Sequence, residues 1–114
     1  RDSLVIYFDI NDIKVLLMGD AGFETEKKLI EEYNLRNLDI LKVGHHGSKY
    51  SSSDEFIKTV NPKYSVISVG ENNKFSHPDT SVIKKLASSK TYLTSKNGSV
   101  KFILQKPLLV NSVR

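Results

Sequence analysis

The sequence predicts a layered α/β domain, because short apolar runs rich in β-branched residues alternate with segments of helical periodicity. The predicted order of elements is ββαβαβαββ. Polar clusters follow three predicted strands directly, at residues 19–20, 44–48 and 72–77. Loops after the carboxyl ends of strands carry the chemistry in sheets of this class, so these clusters are the candidate functional positions.

The chain opens with a predicted β-hairpin. Residues 4–8 and 13–18 are apolar runs, and Asn11 and Asp12 between them tolerate the positive φ of a tight turn. A helix is predicted next over residues 24–33, where apolar side chains recur at helical spacing after early acidic residues.

The middle of the chain alternates between strands and helices. Apolar runs predict one strand over residues 38–43 and another over residues 64–69. Between them Ser52 stands three residues before Glu55, which is the capping-box pattern at the start of a helix. Pro62 ends that predicted helix, because proline cannot continue it.

The last third of the chain is predicted to begin with a helix over residues 78–87, whose first turn holds a proline, where a missing N–H costs least. Two predicted strands, residues 91–94 and 99–104, flank Asn97 and Gly98. This dipeptide predicts a hairpin between the two strands.

Length and composition indicate one folded domain. The chain has 114 residues, of which 39% are hydrophobic and 26% are charged, as in globular proteins rather than disordered or membrane-embedded ones. We assign residues 1–104 to the domain and residues 105–114, which show no clear pattern, to a tail. No apolar run approaches the roughly 20 residues that span a bilayer, so we expect this chain to be soluble. Its abrupt start in an apolar run leads us to expect a fragment of a longer protein.

Charge and cysteine content narrow the range of partners and ligands. The formal net charge of +4 favours anionic partners, although an ordinary solvated surface explains it as well. The absence of cysteine excludes disulfides and thiolate zinc sites, which leaves histidine and carboxylate as the metal ligands to consider.

The three histidines, His45, His46 and His77, lie in two of the strand-end loops. Histidine nitrogen together with the carboxylate oxygen of Asp20 suits zinc or manganese. A His-His pair alone is more often structural, but the placement of Asp20, His45 and His77 after three predicted buried strands favours a shared site at one sheet edge. The glycines on either side of the pair would let the backbone approach a bound anion.

Four segments carry a family resemblance. They are Leu-Leu-Met-Gly-Asp at residues 16–20, Asp-Ile-Leu-Lys-Val-Gly-His-His-Gly-Ser at residues 39–48, Ile-Ser-Val-Gly-Glu-Asn-Asn at residues 67–73, and His77-Pro78. In content and order they resemble the metallo-β-lactamase-like domain of ComEC-type competence proteins, which serve DNA uptake. The resemblance covers residues 3–104.

The resemblance implies roles for individual residues. Asp20 matches the family's metal-bridging aspartate, and His45 or His46 matches a metal ligand or active-site histidine, a choice that the sequence leaves open. His77 matches a late histidine that is either a ligand or the acid that protonates the leaving oxygen. We assign Asp20, His45 and His77 to the metal, and His46 and His77 to catalysis.

Phosphate contact is assigned to Ser48 and Lys49, with a turn-forming serine and a solvated lysine as the alternatives. Four lysines near predicted strand ends would add phosphate attraction. They are Lys42, Lys49, Lys63 and Lys74.

The chain departs from the family pattern in one respect. The family's first metal motif, His-x-Asp/His-x-Asp-His, has no counterpart, because no histidine precedes His45. The resemblance therefore implies the C-terminal half of a metallo-β-lactamase-type αββα sandwich. We expect zinc or manganese in the intact domain, and no metal or partial occupancy in this chain alone. The missing N-terminal half is the expected partner, and the open sheet face is expected to make the fragment self-associate.

The predicted function is that of the parent protein, a metal-dependent hydrolase. We expect a phosphodiesterase or nuclease of a competence DNA-uptake protein, with DNA as a candidate substrate and with no activity in the fragment alone. The parent is expected in the bacterial cell membrane, with its hydrolase domain on the extracytoplasmic side. The alternative is a non-catalytic interaction half-domain, and the fold does not decide between the two.

Overall fold

A five-stranded mixed sheet organises the part of the chain that the structure describes. In this computed structural model, those residues are 4–69 and 78–113, without the side chain of His45. The predicted α/β class is confirmed, because helices alternate with the strands through the middle of the chain.

The first two strands form the predicted hairpin. Strand β1 (Ile6–Ile10) pairs antiparallel with β2 (Ile13–Leu17), and the pair closes at Ile10 and Ile13. Asn11 and Asp12 have φ of 53° and 61°, so both loop residues are left-handed, as a two-residue type I′ turn requires. The sequence therefore identified both the hairpin and its turn.

Three more strands extend the sheet in parallel. They are β3 (Ile40–Lys42), β4 (Tyr64–Ile67) and β5 (Lys90–Leu93), and the helices that precede them are α1 (Phe23–Glu32), α2 (Asp54–Val60) and α3 (Thr80–Lys85). The strand order is β1-β2-β3-β4-β5, with β2 to β5 parallel. Because right-handed crossovers between sequential neighbours all pass over the same side, the three helices lie on one face.

The main core fills the space between this face and the helices. Leu16, Leu41 and Ile67 point from three neighbouring strands toward the helices and are fully buried. Phe56 of α2 and Val82 of α3 pack into the same cluster. Burial of each such side chain contributes about 1.5–3 kcal/mol, so this layer is the main source of stability.

The opposite face of the sheet is only partly covered. A second sheet of two antiparallel strands, β6 (Ser99–Ile103) and β7 (Leu109–Val113), lies against it. Phe102 of β6 contacts Tyr64 edge to face, with ring centroids 5.7 Å apart. Beside this contact an apolar groove of about 380 Å³ stays open, with Leu17 and Val66 among its lining residues.

The predicted hairpin around Asn97 and Gly98 is wrong. A short helix, α4 (Thr94–Asn97), stands between β5 and β6, and Gly98 follows it with φ of 71°. The Oδ1 atom of Asn97 accepts a hydrogen bond from the N–H of Leu93 at 2.9 Å. Asn-Gly therefore ends a helix here and does not connect two paired strands. Turn residues determine the local backbone conformation, but they do not determine which strands pair.

Regular structure also continues beyond residue 104. The segment 105–114, which shows no clear pattern in the sequence, contains β7, and Ile103 pairs with Leu109 across the second sheet. Within the described ranges, no helix is long and apolar enough to cross a membrane.

Candidate functional site

One edge of the sheet gathers the ends of three parallel strands. The N–H of Met18 donates to the carbonyl oxygen of Lys42 at 3.2 Å, and that of Val43 donates to Val66 at 2.9 Å. These bonds carry the pairing of β2, β3 and β4 beyond their last ladder residues. The loops after these strands consequently start side by side, which is the arrangement expected from parallel strands.

Asp20 lies on a tight turn after β2. The N–H of Ala21 donates to the carbonyl oxygen of Met18 at 3.1 Å, and Gly19 has φ of 60°, a conformation that glycine adopts without strain. The turn leaves the Asp20 side chain exposed at the edge of the sheet. Its carboxylate is therefore positioned at the protein surface, in the predicted place after β2.

Gly44 brings the histidine loop against this turn. A Cβ on Gly44 would lie 2.9 Å from the carbonyl oxygen of Ala21 and 3.1 Å from Cβ of Met18, distances that no other residue type accommodates without a shift. The loop that carries His45 and the turn that carries Asp20 are therefore in backbone contact.

Gly47 closes the single 3₁₀ turn Gly44–Gly47 and receives the segment before α3. Its φ is 75°, and a Cβ there would lie 2.6 Å from Cβ of Pro78. The N–H of Asp79 donates to the carbonyl oxygen of Gly47 at 2.8 Å. Protein atoms therefore fill the space where a side chain would lie on each flanking glycine, and approach of the backbone to a bound anion stays a prediction.

His46 is held by a backbone hydrogen bond. Its Nδ1 lies 2.8 Å from the carbonyl oxygen of Ser68, which follows β4. A carbonyl only accepts, so Nδ1 carries a proton, and the tautomer with this proton leaves the lone pair of Nε2 for a ligand or a second proton. Metal-bound histidines commonly make this type of bond through their second nitrogen. The residue also has φ of 53°, a costly conformation for a non-glycine residue and one that clusters at functional sites.

The donors at this edge fit a metal in chemical type. A carboxylate from Asp20 and an imidazole nitrogen from His46 are ligands that zinc and manganese accept. Among residues 4–69 and 78–113, no three His, Asp or Glu side chains come together to hold an ion. The ring of His45 and the whole of His77 lie outside the described parts, so their predicted convergence with Asp20 stays a prediction.

Ser48 is placed inside the loop. Its side chain is 2% exposed, and its Oγ accepts a hydrogen bond from the N–H of Tyr50 at 3.2 Å. This geometry is that of a turn-forming serine. Phosphate contact by Ser48 remains a prediction, and its burial favours the structural alternative.

The lysines assigned to phosphate attraction are spread over the molecule. Lys49 is exposed, with its Nζ 5.2 Å from the ring centroid of Tyr50. Lys42 is half-buried at the groove, and burial lowers its pKa while the charge of Asp20 acts in the opposite direction. Lys63 precedes β4 and therefore lies at the opposite edge of the sheet, which corrects its assignment. Lys74 lies outside the described residues.

Glu26 is a buried carboxylate behind the histidine loop that sequence reasoning missed. It lies on α1 with 1% of its surface exposed, and it accepts hydrogen bonds from the N–H groups of Ser52 and Ser53. Burial raises its pKa, and these bonds with the charge of Lys85 oppose the rise. In the sequence, an acid in the first helical turn indicates only a favourable interaction with the helix dipole.

Comparisons with known proteins identify the family. The model of the Metallo-beta-lactamase superfamily matches residues 2–71. ComE operon protein 3 of Bacillus subtilis is 36% identical over 104 residues, covering 90% of this chain. Recombination protein 2 of Haemophilus influenzae is 40% identical over 84 residues, covering 74% of the chain. Competence protein ComA of Neisseria gonorrhoeae is 35% identical over 92 residues, covering 77% of the chain.

The chain spans only a small part of these relatives, namely 13%, 10% and 13% of their respective lengths. The match nevertheless includes the turn of Asp20 and the loop of His45 and His46, since both lie within residues 2–71. The family model covers more than half of the chain, and the order of polar loops at one sheet edge agrees with it. The chain therefore belongs to the metallo-β-lactamase superfamily and is related to the ComEC-type competence proteins.

Proposed function

We propose that this chain forms one part of a metal-dependent phosphodiesterase or nuclease within a competence protein. The observation that carries the proposal is the hydrogen bond from Nδ1 of His46 to Ser68, on a loop packed against the turn of Asp20. It sets a histidine in the tautomer that a metal or a proton-transfer step requires, on the same sheet edge as the exposed carboxylate of Asp20.

The proposed roles follow from the donor chemistry. Asp20, His45 and His77 would hold zinc or manganese, which when bound polarises a phosphoryl oxygen and makes water acidic. His46 holds its Nε2 ready to take or give a proton. Lys42 and Lys49, on either side of the histidine pair in sequence, would attract the phosphate of the substrate.

We further propose that the chain alone is inactive. The donors that its strand-end loops offer are Asp20 and the histidines, fewer than a two-metal site requires. The remaining ligands would come from an N-terminal half, which would pack over the open face of the sheet. The groove of about 380 Å³ beside Leu17 and Val66 supports such a partner, because apolar surface of this kind is normally covered.

Zinc titration of the purified protein by calorimetry tests the metal role. Asp20→Asn keeps the shape of the side chain and removes its charge, and should weaken zinc binding by at least about tenfold, as expected for a lost anionic ligand. Asp12→Asn is the matched control, because Asp12, with φ of 61°, lies on a turn at the other end of β2. Detectable zinc binding of equal affinity in the unaltered protein and in Asp20→Asn would refute the proposal.

The groove also favours a second candidate function, a non-catalytic half-domain used for assembly. The two functions differ in which residues matter. An enzyme needs Asp20, whereas an assembly module needs only the apolar face. DNA uptake by cells whose parent protein carries Asp20→Asn separates them, since loss of uptake supports the enzyme and retention supports the assembly module.

The setting of the parent protein is also a proposal. Relatives named for competence and recombination support a role in handling DNA. The chain accounts for at most 13% of the first of these relatives, which leaves length for membrane-spanning segments elsewhere in the parent. We place the hydrolase domain on the extracytoplasmic side of the bacterial membrane, and protease digestion of intact cells tests that placement.

A further inference from the structure

Buried polar side chains concentrate behind the histidine loop. Among the described residues, five polar or charged side chains are buried, and four of them lie here: Glu26, Ser48, Ser51 and Ser52. Burial of polar groups costs free energy unless each is hydrogen-bonded, and all buried side-chain polar atoms in the described ranges have partners. Such a concentration at one loop calls for a specific role.

Both carboxylate oxygens of Glu26 accept hydrogen bonds from the end of this loop. One oxygen accepts from the N–H of Ser52 and the other from the N–H of Ser53, at 2.9 Å for Ser53. Ser52 has φ of 58°, and a left-handed residue turns successive N–H groups toward one anion. Ser53 is also the N-cap of α2, because its Oγ accepts from the N–H of Phe56. The predicted cap at Ser52 is thereby corrected, since Ser52 binds Glu26 instead.

Ser51 connects this end of the loop to the residues around the histidine pair. Its hydroxyl donates to the carbonyl oxygen of Gly44 at 3.1 Å and lies 3.0 Å from that of Ser48. Gly44 precedes His45 directly, so the end of the loop is tied to its beginning. The connection from α1 to the histidine pair therefore runs from Glu26 through Ser52 and Ser51 to Gly44.

The charge of Glu26 has a partner on a third element. Lys85 of α3 attracts the carboxylate, and its Nζ lies 5.9 Å from the ring centroid of Phe23 at the start of α1. The carboxylate thus connects α1 with the start of α2, and α3 supplies a compensating charge.

We infer that Glu26 is a positioning residue for the histidine pair, because its carboxylate fixes the loop of residues 44–53 on α1. The inference deepens the proposed function and rests on it, in that the histidines are taken as the groups that bind metal and move protons. The two hydrogen bonds that Glu26 accepts come from backbone N–H groups, so it acts on the loop through the backbone.

Glu26→Gln tests these two hydrogen bonds with almost no change of side-chain volume. The amide has one oxygen to accept one N–H, and its NH₂ group faces the other N–H as a second donor, so one of the two bonds is lost. Glu24→Gln is the matched control, because Glu24 lies on the same helix with its side chain exposed.

Ring-nitrogen NMR and amide hydrogen exchange are the readouts, measured where both variants are folded. In Glu26→Gln the Nδ1-protonated tautomer of His46 should lose population, and the amides of Ser52 and Ser53 should exchange at least about tenfold faster. Zinc affinity should fall about 10–100-fold, as for outer-shell substitutions at metal sites. Glu24→Gln should match the unaltered protein in all three measurements.

Unchanged ring-nitrogen signals and exchange rates in folded Glu26→Gln would overturn the inference. If Glu26→Gln does not fold, exchange in the unaltered protein decides: protection of the amides of Ser52 and Ser53 supports their contact with Glu26, and free exchange of both amides overturns it. Detectable zinc binding that Asp20→Asn leaves unchanged would count against the proposed function alone, since tautomer and exchange are measured without metal.

Discussion

Nδ1 of His46 lies 2.8 Å from the carbonyl oxygen of Ser68 and joins the loop after β3 to the end of β4. The bond fixes the tautomer of the imidazole, and the backbone of this residue is in the strained left-handed region. Contacts within this chain therefore fix the ring of His46. The geometry of the histidine loop and the hydrolytic activity of the chain are separate properties, and each can be tested by itself.

Hydrolysis by the chain alone is the first test. The purified 114-residue chain should show little or no turnover of a generic phosphodiester with manganese or zinc, because the family's first metal motif is missing. Asp20→Ala should leave this background rate unchanged. Robust turnover that Asp20→Ala abolishes would show instead that the chain supplies a complete site.

Gly44→Ala tests the contact between the two loops. The added methyl would meet the carbonyl oxygen of Ala21 at 2.9 Å, so the loops must separate. Overpacking of this kind costs about 1–3 kcal/mol, which urea unfolding would detect. Ala87→Val, which adds bulk at an exposed position, should unfold like the unaltered protein. A stable Gly44→Ala variant with unchanged zinc affinity would show that the loop contact is dispensable.

The parts of the fold that the sequence predicted depend on local signals. Asn11 and Asp12 specify a hairpin turn by their own tolerance of positive φ, and the apolar runs of β2, β3 and β4 mark buried parallel strands. Asn97 and Gly98 gave an equally strong local signal and were misread, because the partner of β6 is β7. Strand pairing depends on tertiary packing, such as that of Phe102 against Tyr64, which no local pattern encodes.

The candidate site was predictable to a similar extent. Histidine, aspartate and their positions after strands are visible in the sequence, and the neighbouring starts of their loops follow from parallel strands. The burial of Glu26 and the use of the Ser68 carbonyl depend on how α1, α2 and β4 pack, so sequence reasoning missed both. Serines of the loop were visible, but only the structure separates buried Ser48 from a ligand-facing hydroxyl.

Ser48→Ala distinguishes the two roles of that serine. Loss of the hydrogen bond from the N–H of Tyr50 in a buried turn should lower the free energy of unfolding by about 1 kcal/mol. Ser99→Ala, at an exposed position at the start of β6, is the control and should change stability little. A variant at Ser48 with normal stability but weaker binding of a phosphodiester would instead favour the phosphate role.

The apolar groove predicts self-association when no partner covers it. Sedimentation velocity should reveal a dimer or larger species, and Val100→Glu, which introduces a charge into the groove, should shift it toward monomer. Val113→Glu on the neighbouring strand is the control, because Val113 is 70% exposed and does not line the groove. A monomer at all concentrations would contradict the prediction.

The pH dependence of stability provides a final test, because Glu26 is ionised at a cost. Burial raises the pKa of Glu26 above its ordinary value of 4.5, although the N–H groups of Ser53 and Ser52 and the charge of Lys85 oppose the rise. The folded state therefore holds the proton more tightly than the unfolded state does. The resulting stabilisation is complete below the unfolded pKa and is lost as pH rises through the folded pKa.

Urea unfolding of the unaltered protein and of Glu26→Gln across pH 4 to 8 should show this directly. The free energy of unfolding of the unaltered protein, relative to the variant, should fall as pH rises from about 4.5 and then become constant above the raised pKa. Glu24→Gln should show no comparable fall, and a difference that stays flat or rises with pH would contradict the prediction. A fall would mean that burial favours the protonated form, so that the ionised form, the one able to accept both N–H bonds, forms at the expense of stability.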